Sequence, residues 1–112
     1  MLDIKQIDWE AIEWKTVRDG IDRKAFGSEN VTVALHRLSP GHARLPHSHP
    51  NEQLVYIMAG TVDFHVGDQT LRLGPGGLAV VPPNVIHYAE LVGDEPALNL
   101  DIFTPARPEY EQ

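Results

Sequence analysis

Hydrophobic and polar residues alternate along most of this chain in short stretches that are separated by turn-forming residues. Side chains on a β-strand point alternately to its two faces, so a repeat of two residues predicts strands. The strands predicted in this way lie at residues 14–18, 21–26, 31–36, 54–58, 61–66, 69–73, 78–81 and 97–103. Short strands with closely spaced turns are typical of β-sandwiches and β-barrels. We therefore expect an all-β fold that closes into a barrel.

Two turns and the N-terminal segment refine this picture. Asp19-Gly20 and Gly67-Asp68 favour two-residue β-hairpins, so we expect a hairpin around each of them. The segment 9–17 is ambiguous between helix and strand, and no other segment predicts a helix. The first 13 residues carry large apolar side chains at Ile4, Ile7, Trp9 and Ile12. We expect this short N-terminal arm to pack along the barrel or across the interface of a homodimer.

The length of the chain sets the number of domains. At 112 residues it has room for one domain with a single hydrophobic core. Within residues 1–112 we distinguish an N-terminal arm with the first hairpin, residues 1–30, from the barrel proper, residues 31–107. No internal repeat, low-complexity tract or linker interrupts this single domain.

Composition and charge exclude several classes of function. The formal net charge is −7 without a basic cluster, which argues against nucleic acid as a partner. No apolar run is long enough to cross a bilayer, so we expect no membrane association. The chain has no cysteine, which excludes disulfides and thiolate metal sites. It also begins without the basic-then-apolar pattern of a secretory signal, so we expect a cytoplasmic location.

The residues with the clearest chemistry are the histidines of the segment His47-Ser48-His49. On an extended backbone, two histidines separated by one residue point to the same side. A third histidine, His87, follows the next hairpin and could complete the set. Imidazole is the commonest metal ligand among protein side chains. The pattern predicts a mononuclear metal site inside the barrel; the alternative is that these histidines are ordinary core or surface residues.

The spacing around these histidines resembles the two sequence motifs of cupins of the RmlC-like jelly-roll class. The first cupin motif is Gly, five residues, His-x-His, three or four residues, Glu, six residues and Gly. It is matched by Gly41, His47, His49, Gln53 and Gly60, with Gln53 in place of the usual Glu. The second motif is matched by Gly76, Pro82 and His87, whereas Asn84 replaces a Gly and Leu91 replaces an Asn. The resemblance covers residues 31–107 and implies a single-domain cupin barrel.

The resemblance implies that His47, His49, Gln53 and His87 hold one divalent metal ion. Glu52 is an alternative fourth ligand, because cupins usually have a carboxylate there. Adjacent strand residues face opposite sides, so only one of Glu52 and Gln53 points inward, and the spacing to Gly60 favours Gln53. A neutral amide would leave the full charge of the ion uncancelled, which favours an anionic ligand. Imidazole suits nickel, manganese, iron, zinc and copper alike, so the sequence does not identify the metal.

The last predicted strand adds candidates for catalysis. Leu98, Leu100 and Ile102 share one face, whereas Asn99, Asp101 and Phe103 share the other. An aspartate in an enclosed metal cavity can act as a general acid or base, and Arg107 could clamp a carboxylate. The alternative is that Asn99 and Asp101 face water and that Arg107 pairs on the surface.

The segment from Asp101 to Arg107 is similar to that of the pectin degradation proteins, which are cupins. The resemblance implies that Asp101 handles protons, that Phe103 packs against the substrate ring and that Arg107 holds a uronate. It also implies a metal-dependent enzyme of the isomerase or lyase type that acts on an anionic sugar. The reaction implied is conversion of 4,5-unsaturated monouronates into linear keto uronates.

Two other functions remain open from the sequence. One is a different metal-dependent cupin enzyme, either a dioxygenase or a lyase such as a hydroxynitrile lyase. The other is a cupin that binds a sugar or metabolite without catalysis, since a fold alone does not establish a reaction.

Several further side chains have predicted orientations. His36, His42 and His65 are expected to be exposed strand residues and not ligands. Tyr56 is out of phase with Gln53 and should face away from the metal. Val55 and Ile57 are in phase with Gln53 and should line an apolar wall, whereas the role of Arg44 stays open.

Overall fold

The computed structural model describes residues 6–111. Its regular structure consists of nine antiparallel β-strands and two short 3-10 helices, Trp9–Ala11 and Pro108–Glu111. The strands are β1 (Lys15–Arg18), β2 (Ile21–Gly27), β3 (Thr32–Leu38), β4 (Glu52–Ala59), β5 (Val62–Val66), β6 (Gln69–Leu73), β7 (Leu78–Val81), β8 (His87–Leu91) and β9 (Ala97–Thr104). Among the described residues no α-helix is present, and no helix could span a membrane. The all-β prediction is confirmed.

The predicted strands differ from the observed ones in two places. The ambiguous segment 9–17 contains the first 3-10 helix and then most of β1. Strand β8 was not predicted from the sequence. In the structure only His87 of this strand is fully buried and the next four residues are half-buried, so its sequence does not alternate between apolar and polar residues. Such a strand lacks the strong alternation on which the prediction depends.

The strands form two sheets that face each other across the core. The six-stranded sheet has the order β1-β2-β3-β9-β4-β7, and the three-stranded sheet has the order β6-β5-β8. Both predicted hairpins are present, since β1 pairs with β2 and β5 pairs with β6. An isolated backbone bridge joins His47 to His87 at the start of β8. The barrel is therefore built from two facing sheets and not from one continuous ladder.

The hydrophobic core fills one part of the space between the sheets. Its residues come from both sheets and are Ile21, Leu38, Val55, Ile57, Val62, Phe64, Ala79, Val81 and Ala97. Val55 and Ile57 are fully buried, as predicted, and the exposed side chain of Tyr56 faces away from the core. Burial of aliphatic side chains of this size stabilises the fold by about 1.5–3 kcal/mol each. The core thus anchors the central strands that carry the polar residues described below.

The N-terminal arm packs on the outer surface of the six-stranded sheet. The Trp9 ring lies edge-on to Phe26 of β2, with 5.4 Å between their centroids. The Trp9 carbonyl accepts a hydrogen bond from Nζ of Lys24, whose side chain also lies over the ring of Trp14. The arm therefore packs along the barrel, which was one of the two expected arrangements. Ile4, which was assigned to the same arm, lies outside the described residues.

Two motif positions show why their residue types are required. Gly60 has a φ of 77°, and a Cβ atom there would lie 2.7 Å from Cα of Ala97. Asn84, which stands where the second cupin motif has a glycine, has a φ of 66°. Asparagine enters this left-handed region more readily than most residues do. The backbone shape that a glycine would give is thus preserved at Asn84.

Candidate metal centre and active site

Three histidines converge between the two sheets. His47 and His49 lie on the segment that precedes β4, and His87 is the first residue of β8. One ring nitrogen from each of them lies within 4.8 Å of the corresponding atoms of the other two. The bridge between His47 and His87 holds these two residues side by side, with ring centroids 4.4 Å apart. The fold therefore brings together the three histidines that the sequence singled out.

Backbone carbonyls orient all three imidazoles in the same way. The contacts are from His47 Nδ1 to the Leu45 carbonyl (2.7 Å), from His49 Nδ1 to the Asn51 carbonyl (3.1 Å) and from His87 Nδ1 to the Val85 carbonyl (2.9 Å). A carbonyl oxygen only accepts, so each Nδ1 carries the proton and donates it. In a neutral ring this leaves the lone pair on Nε2, which is the atom that can bind a metal.

Burial and protonation at this cluster suit a divalent cation. His87 Nε2 is buried and has no hydrogen-bond partner among the described residues. Burial lowers the pKa of His87 to about 4, against the hydrogen bond to Val85 and with the help of the neighbouring imidazoles. Burial also lowers the pKa of His47, to which the charges of His49, Arg107 and Arg18 contribute. A neutral imidazole whose buried Nε2 atom lacks a partner among the described residues, as at His87, fits a metal ion well, since bound metal requires deprotonated ligands.

Gln53 places a fourth candidate metal ligand, its amide oxygen, beside the histidines. Its side chain is buried on the inner face of β4, whereas the neighbouring Glu52 is exposed. Gln53 Oε1 lies 3.0 Å from His49 Nε2, and Gln53 Nε2 donates to Asp101 Oδ1 at 2.9 Å. The phase of the strand thus places the amide and not the carboxylate at the histidine cluster.

Asp101 lies one hydrogen bond away from the candidate metal ligands. Besides the bond from Gln53, its Oδ2 accepts from His36 Nδ1 at 2.6 Å and from Asn99 Nδ2 at 2.9 Å. Arg23 Nε donates to His36 Nε2 at 2.9 Å, which places the proton of this imidazole on Nδ1. Three donors thus surround a buried carboxylate, an arrangement that suits its ionised form because that form only accepts. Asp101 and Asn99 do not face water.

A cavity of about 60 Å³ opens beside these groups. Its polar lining comes from Arg18, His36, His47, Gln53, His87, Asn99 and Asp101. Aromatic side chains from Phe64, Tyr88, Phe103 and Tyr110 complete much of the wall. Three of the four candidate metal ligands, His47, Gln53 and His87, thus line the same small cavity as the candidate acid or base, Asp101.

The other two residues proposed for catalysis lie in different positions. Phe103 is buried, lines the cavity and lies edge-on to His49. Arg107 is not part of the cavity lining: its guanidinium lies 4.0 Å from the ring centre of Tyr110 and donates to the Tyr110 hydroxyl. Its Nε is 3.7 Å from Glu109. Asp101 and Phe103 therefore line the cavity, whereas Arg107 packs on the rings of Tyr110 and Phe103 and is not part of the lining.

The three histidines outside the cluster were predicted to be exposed strand residues, and none of them is exposed. His42 is partly buried in the loop between β3 and β4, where its Nε2 accepts a hydrogen bond from the Leu91 amide. The expectation that His36 is exposed is wrong, because its side chain is only 12% exposed and holds Asp101. It shares the inner face of β3 with Ala34 and pairs in register with Asn99 of β9. His65 is half-buried and contacts Glu90, which also pairs with the exposed Arg44.

Two residues of the cavity wall escaped the sequence reasoning. Arg18 ends β1, and Tyr110 belongs to the C-terminal 3-10 helix. Neither lies in a motif, and their positions beside the histidines depend on long-range packing. For Arg18, the available signal was its place one residue before a hairpin turn that returns the chain to the core at Ile21.

Comparison with known proteins agrees with this geometry. The chain matches the Cupin domain family over residues 34–103 and belongs to that family. It is similar to an RmlC-like cupin from Shewanella frigidimarina NCIMB 400, with 22% identity, coverage of 96% of both chains and a TM-score of 0.86. It is also similar to KdgF from Halomonas sp., with 26% identity over 89% of this chain and 94% of that one, and a TM-score of 0.81. The cupin jelly-roll prediction is confirmed.

Curated relatives include proteins that are much longer. Oxalate decarboxylase OxdC of Bacillus subtilis (strain 168) is 33% identical over 68% of this chain and 21% of its own length. Germin-like protein subfamily T member 3 of Arabidopsis thaliana is 34% identical over 66% of this chain and 33% of its own length. This chain therefore spans a third or less of these two relatives.

Proposed function

We propose that this protein is a metal-dependent cupin enzyme that converts 4,5-unsaturated monouronates into linear keto uronates. The observation that carries the proposal is the direct link from the histidine cluster through Gln53 to the buried Asp101. The resemblance of the segment from Asp101 to Arg107 to the pectin degradation proteins suggests the substrate. The cavity has room beside Asp101 for part of a small ligand, and the wall includes Phe103.

The chain's own residues can supply the proton transfers of this reaction. A divalent metal held by His47, His49, Gln53 and His87 would supply a Lewis acid that polarises a substrate oxygen. Asp101, as a carboxylate in the same cavity, can accept the proton of the anomeric hydroxyl. The bond from the anomeric carbon to the ring oxygen then breaks, which leaves an aldehyde and an enolate. Return of the proton from Asp101 to C4 gives the keto product.

These reaction steps conserve atoms and electrons, so they need no co-reactant. The proton leaves an oxygen and arrives at a carbon of the same molecule, and no electron is gained or lost. One group that both accepts and donates is therefore sufficient. His36, Asn99 and Gln53 hold the two oxygens of Asp101 in place for both steps.

The test is the loss of ultraviolet absorbance from unsaturated galacturonate in the presence of the metal-loaded protein. We expect Asp101→Asn to lower kcat by about 10²-fold to 10⁴-fold while the bound metal is retained, since general acid–base catalysis contributes rates of that order. Glu52→Gln, on the opposite face of β4, is the matched control and should leave the rate unchanged. Absence of any acceleration over buffer by the wild-type protein would refute the proposal.

A second candidate follows from the likeness to oxalate decarboxylase OxdC. A cationic centre in a small polar cavity could also take a small dicarboxylate as substrate. Incubation of the metal-loaded protein with oxalate, and measurement of formate and carbon dioxide, tests this candidate. Product from oxalate, together with no loss of absorbance from the unsaturated uronate, would favour it.

We also propose that the protein forms a homodimer through the outer face of the six-stranded sheet. The arm covers the β2 side of this face, whereas β4 and β7 expose the apolar side chains Leu54, Tyr56, Met58, Leu78 and Val80. These residues are contiguous, since Leu54 pairs with Val80 and Tyr56 pairs with Leu78. An apolar surface of this kind is typical of an interaction site. Light scattering should give twice the monomer mass for the wild type and the monomer mass for Leu78→Glu.

A further inference from the structure

We propose that Arg18 is the residue that binds the negatively charged group of the ligand in this cavity. The identity of that ligand as a uronate rests on the proposed function, whereas the anion-binding role does not. The sequence resemblance implies instead that Arg107 holds the uronate, so the effects of substituting Arg18 and Arg107 can be compared directly.

The position of Arg18 brings its charge to the site. It is the last residue of β1, and the tight turn at Asp19-Gly20 returns the chain to Ile21 in the core. Arg18 lines the same cavity as His47, Gln53 and Asp101. A ligand that contacts the histidine cluster therefore also comes close to a guanidinium group.

The guanidinium of Arg18 has no hydrogen-bond or ion-pair partner in the part of the chain that the structure describes. Its Nε is buried and has no hydrogen-bond acceptor among residues 6–111. None of the ion pairs found in that part of the chain includes Arg18. A buried N–H group without an acceptor costs free energy, so an oxygen that enters the cavity and accepts from it is stabilised. A planar carboxylate matches the fork of a guanidinium group well.

The other arginines near the site are already engaged. Arg23 donates to His36 and lies 3.5 Å from the ring centre of Tyr110. Arg107 also has an Nε without a hydrogen-bond partner among the described residues. However, it donates through Nη1 to Tyr110, faces Glu109 and lies outside the cavity lining. Asp101, the buried acid of the cavity, is held by three other donors. Arg18 is thus the cation of the cavity wall whose donors are open to a ligand.

Titration calorimetry with D-galacturonate and D-galactose tests this role without any need for turnover. The metal-loaded wild type should bind galacturonate more tightly than the neutral sugar. Arg18→Gln should weaken galacturonate binding by about 10-fold to 100-fold, which corresponds to the loss of charge-assisted hydrogen bonds. Arg18→Lys should restore part of the affinity, because it keeps the charge but not the fork. Galactose binding should be the same in all three proteins.

Two further variants serve as comparisons. Arg72→Gln removes an exposed arginine that pairs with Asp63 and should bind galacturonate as the wild type does. Arg107→Gln should weaken galacturonate binding less than Arg18→Gln does. Metal content and the midpoint of thermal unfolding, measured for each variant, identify any loss of structure. If Arg18→Gln does not fold, Arg18→Lys still decides, since it should bind galacturonate more weakly than the wild type.

The outcomes separate this inference from the proposed function. Unchanged galacturonate binding in folded Arg18→Gln, or equal affinity of the wild type for galacturonate and galactose, would overturn the role of Arg18. If the role of Arg18 is overturned in this way but the wild type converts unsaturated galacturonate, the proposed function still stands. If binding depends on Arg18 but no unsaturated uronate is converted, the anion site stands and the proposed function fails.

Discussion

The two faces of the six-stranded sheet both differ from those of an ordinary half-buried sheet, because polar residues lie beside the apolar core on the inner face and large apolar residues are exposed on the outer face. On strands β3, β4 and β9, the inner face includes His36, Gln53 and Asp101, all of them enclosed. The outer face of β4 and β7 carries apolar side chains, with Leu78 69% exposed and Val80 55% exposed. A row of apolar side chains on one face of a strand therefore does not by itself show that this face lies inside.

The polar inner face is tolerated because almost every group on it has a partner. Burial of an amide or carboxylate without hydrogen bonds costs several kcal/mol. In this protein the side chains of Gln53, Asn99 and His36 all donate hydrogen bonds to Asp101. Arg23 in turn donates a hydrogen bond to His36. Among the described residues, three buried atoms without a hydrogen bond belong to side chains that line the cavity, where a ligand or metal would complete them: Nε2 of His87, Nε of Arg18 and Oδ1 of Asn99. The polar part of the inner face is thus suited to binding, and the apolar part of the same face stabilises the fold.

Neighbouring residues of β4 give the largest expected contrast between the faces. Ile57 is fully buried in the core, whereas Met58 is 47% exposed on the outer face. We expect Ile57→Ala to lower the free energy of unfolding by about 2–5 kcal/mol, because it leaves a cavity in the core. Met58→Ala should change it by less than about 1 kcal/mol. Urea unfolding of both variants measures this, and equal losses would contradict the assignment of the faces.

The pair Glu52 and Gln53 tests the same alternation at the metal centre. We expect Gln53→Ala to weaken metal binding by about 10-fold to 100-fold, comparable with the loss of other groups that support metal sites. Glu52→Ala should bind the metal as the wild type does, because its side chain lies on the exposed face. Metal content after dialysis against a competing chelator gives the comparison. Full retention of metal by Gln53→Ala would show that Gln53 is not a ligand.

The titration of the inner face gives a pH dependence for the metal-free protein. Burial lowers the pKa of His87 to about 4 in the folded state, below its ordinary value of 6.5. The unfolded chain therefore binds a proton at a higher pH than the folded one does. The contribution of His87 is fully present above pH 6.5 and is lost as the pH falls toward 4. Urea unfolding in the presence of chelator should show this fall, which should be weaker in His87→Gln.

An ion pair on the outer face should contribute least. Arg37 donates to Asp22 at 2.8 Å, and both side chains are partly exposed. Exposed pairs of this kind contribute about 0–1 kcal/mol. We expect Arg37→Gln to lower the free energy of unfolding by no more than that and to leave metal binding unchanged. A larger loss would mean that the packing of Arg37 on Trp14 stabilises the arm.

Local signals were sufficient to predict most of the fold. The turns at Asp19-Gly20 and Gly67-Asp68 fixed two hairpins, and alternation placed Asp101 on the opposite face from Leu100. The motif spacing singled out the three histidines that converge in the structure. Long-range packing was not predictable in the same way. His36 and Arg18 come close to the site only because β3 pairs with β9 and β1 returns through a hairpin, and neither residue belongs to a cupin motif.

The carbonyl contacts of the three imidazoles have a consequence for how the site can change over time. Each ring is oriented by a main-chain carbonyl oxygen two residues away from it. The orientation of His47, His49 and His87 therefore does not depend on the identity of neighbouring side chains. Mutation can therefore exchange the fourth donor or remodel the cavity wall while the three imidazoles stay aimed at one point. A new reaction on this fold would therefore require changes in the surrounding residues only, because the backbone keeps the three imidazoles in place.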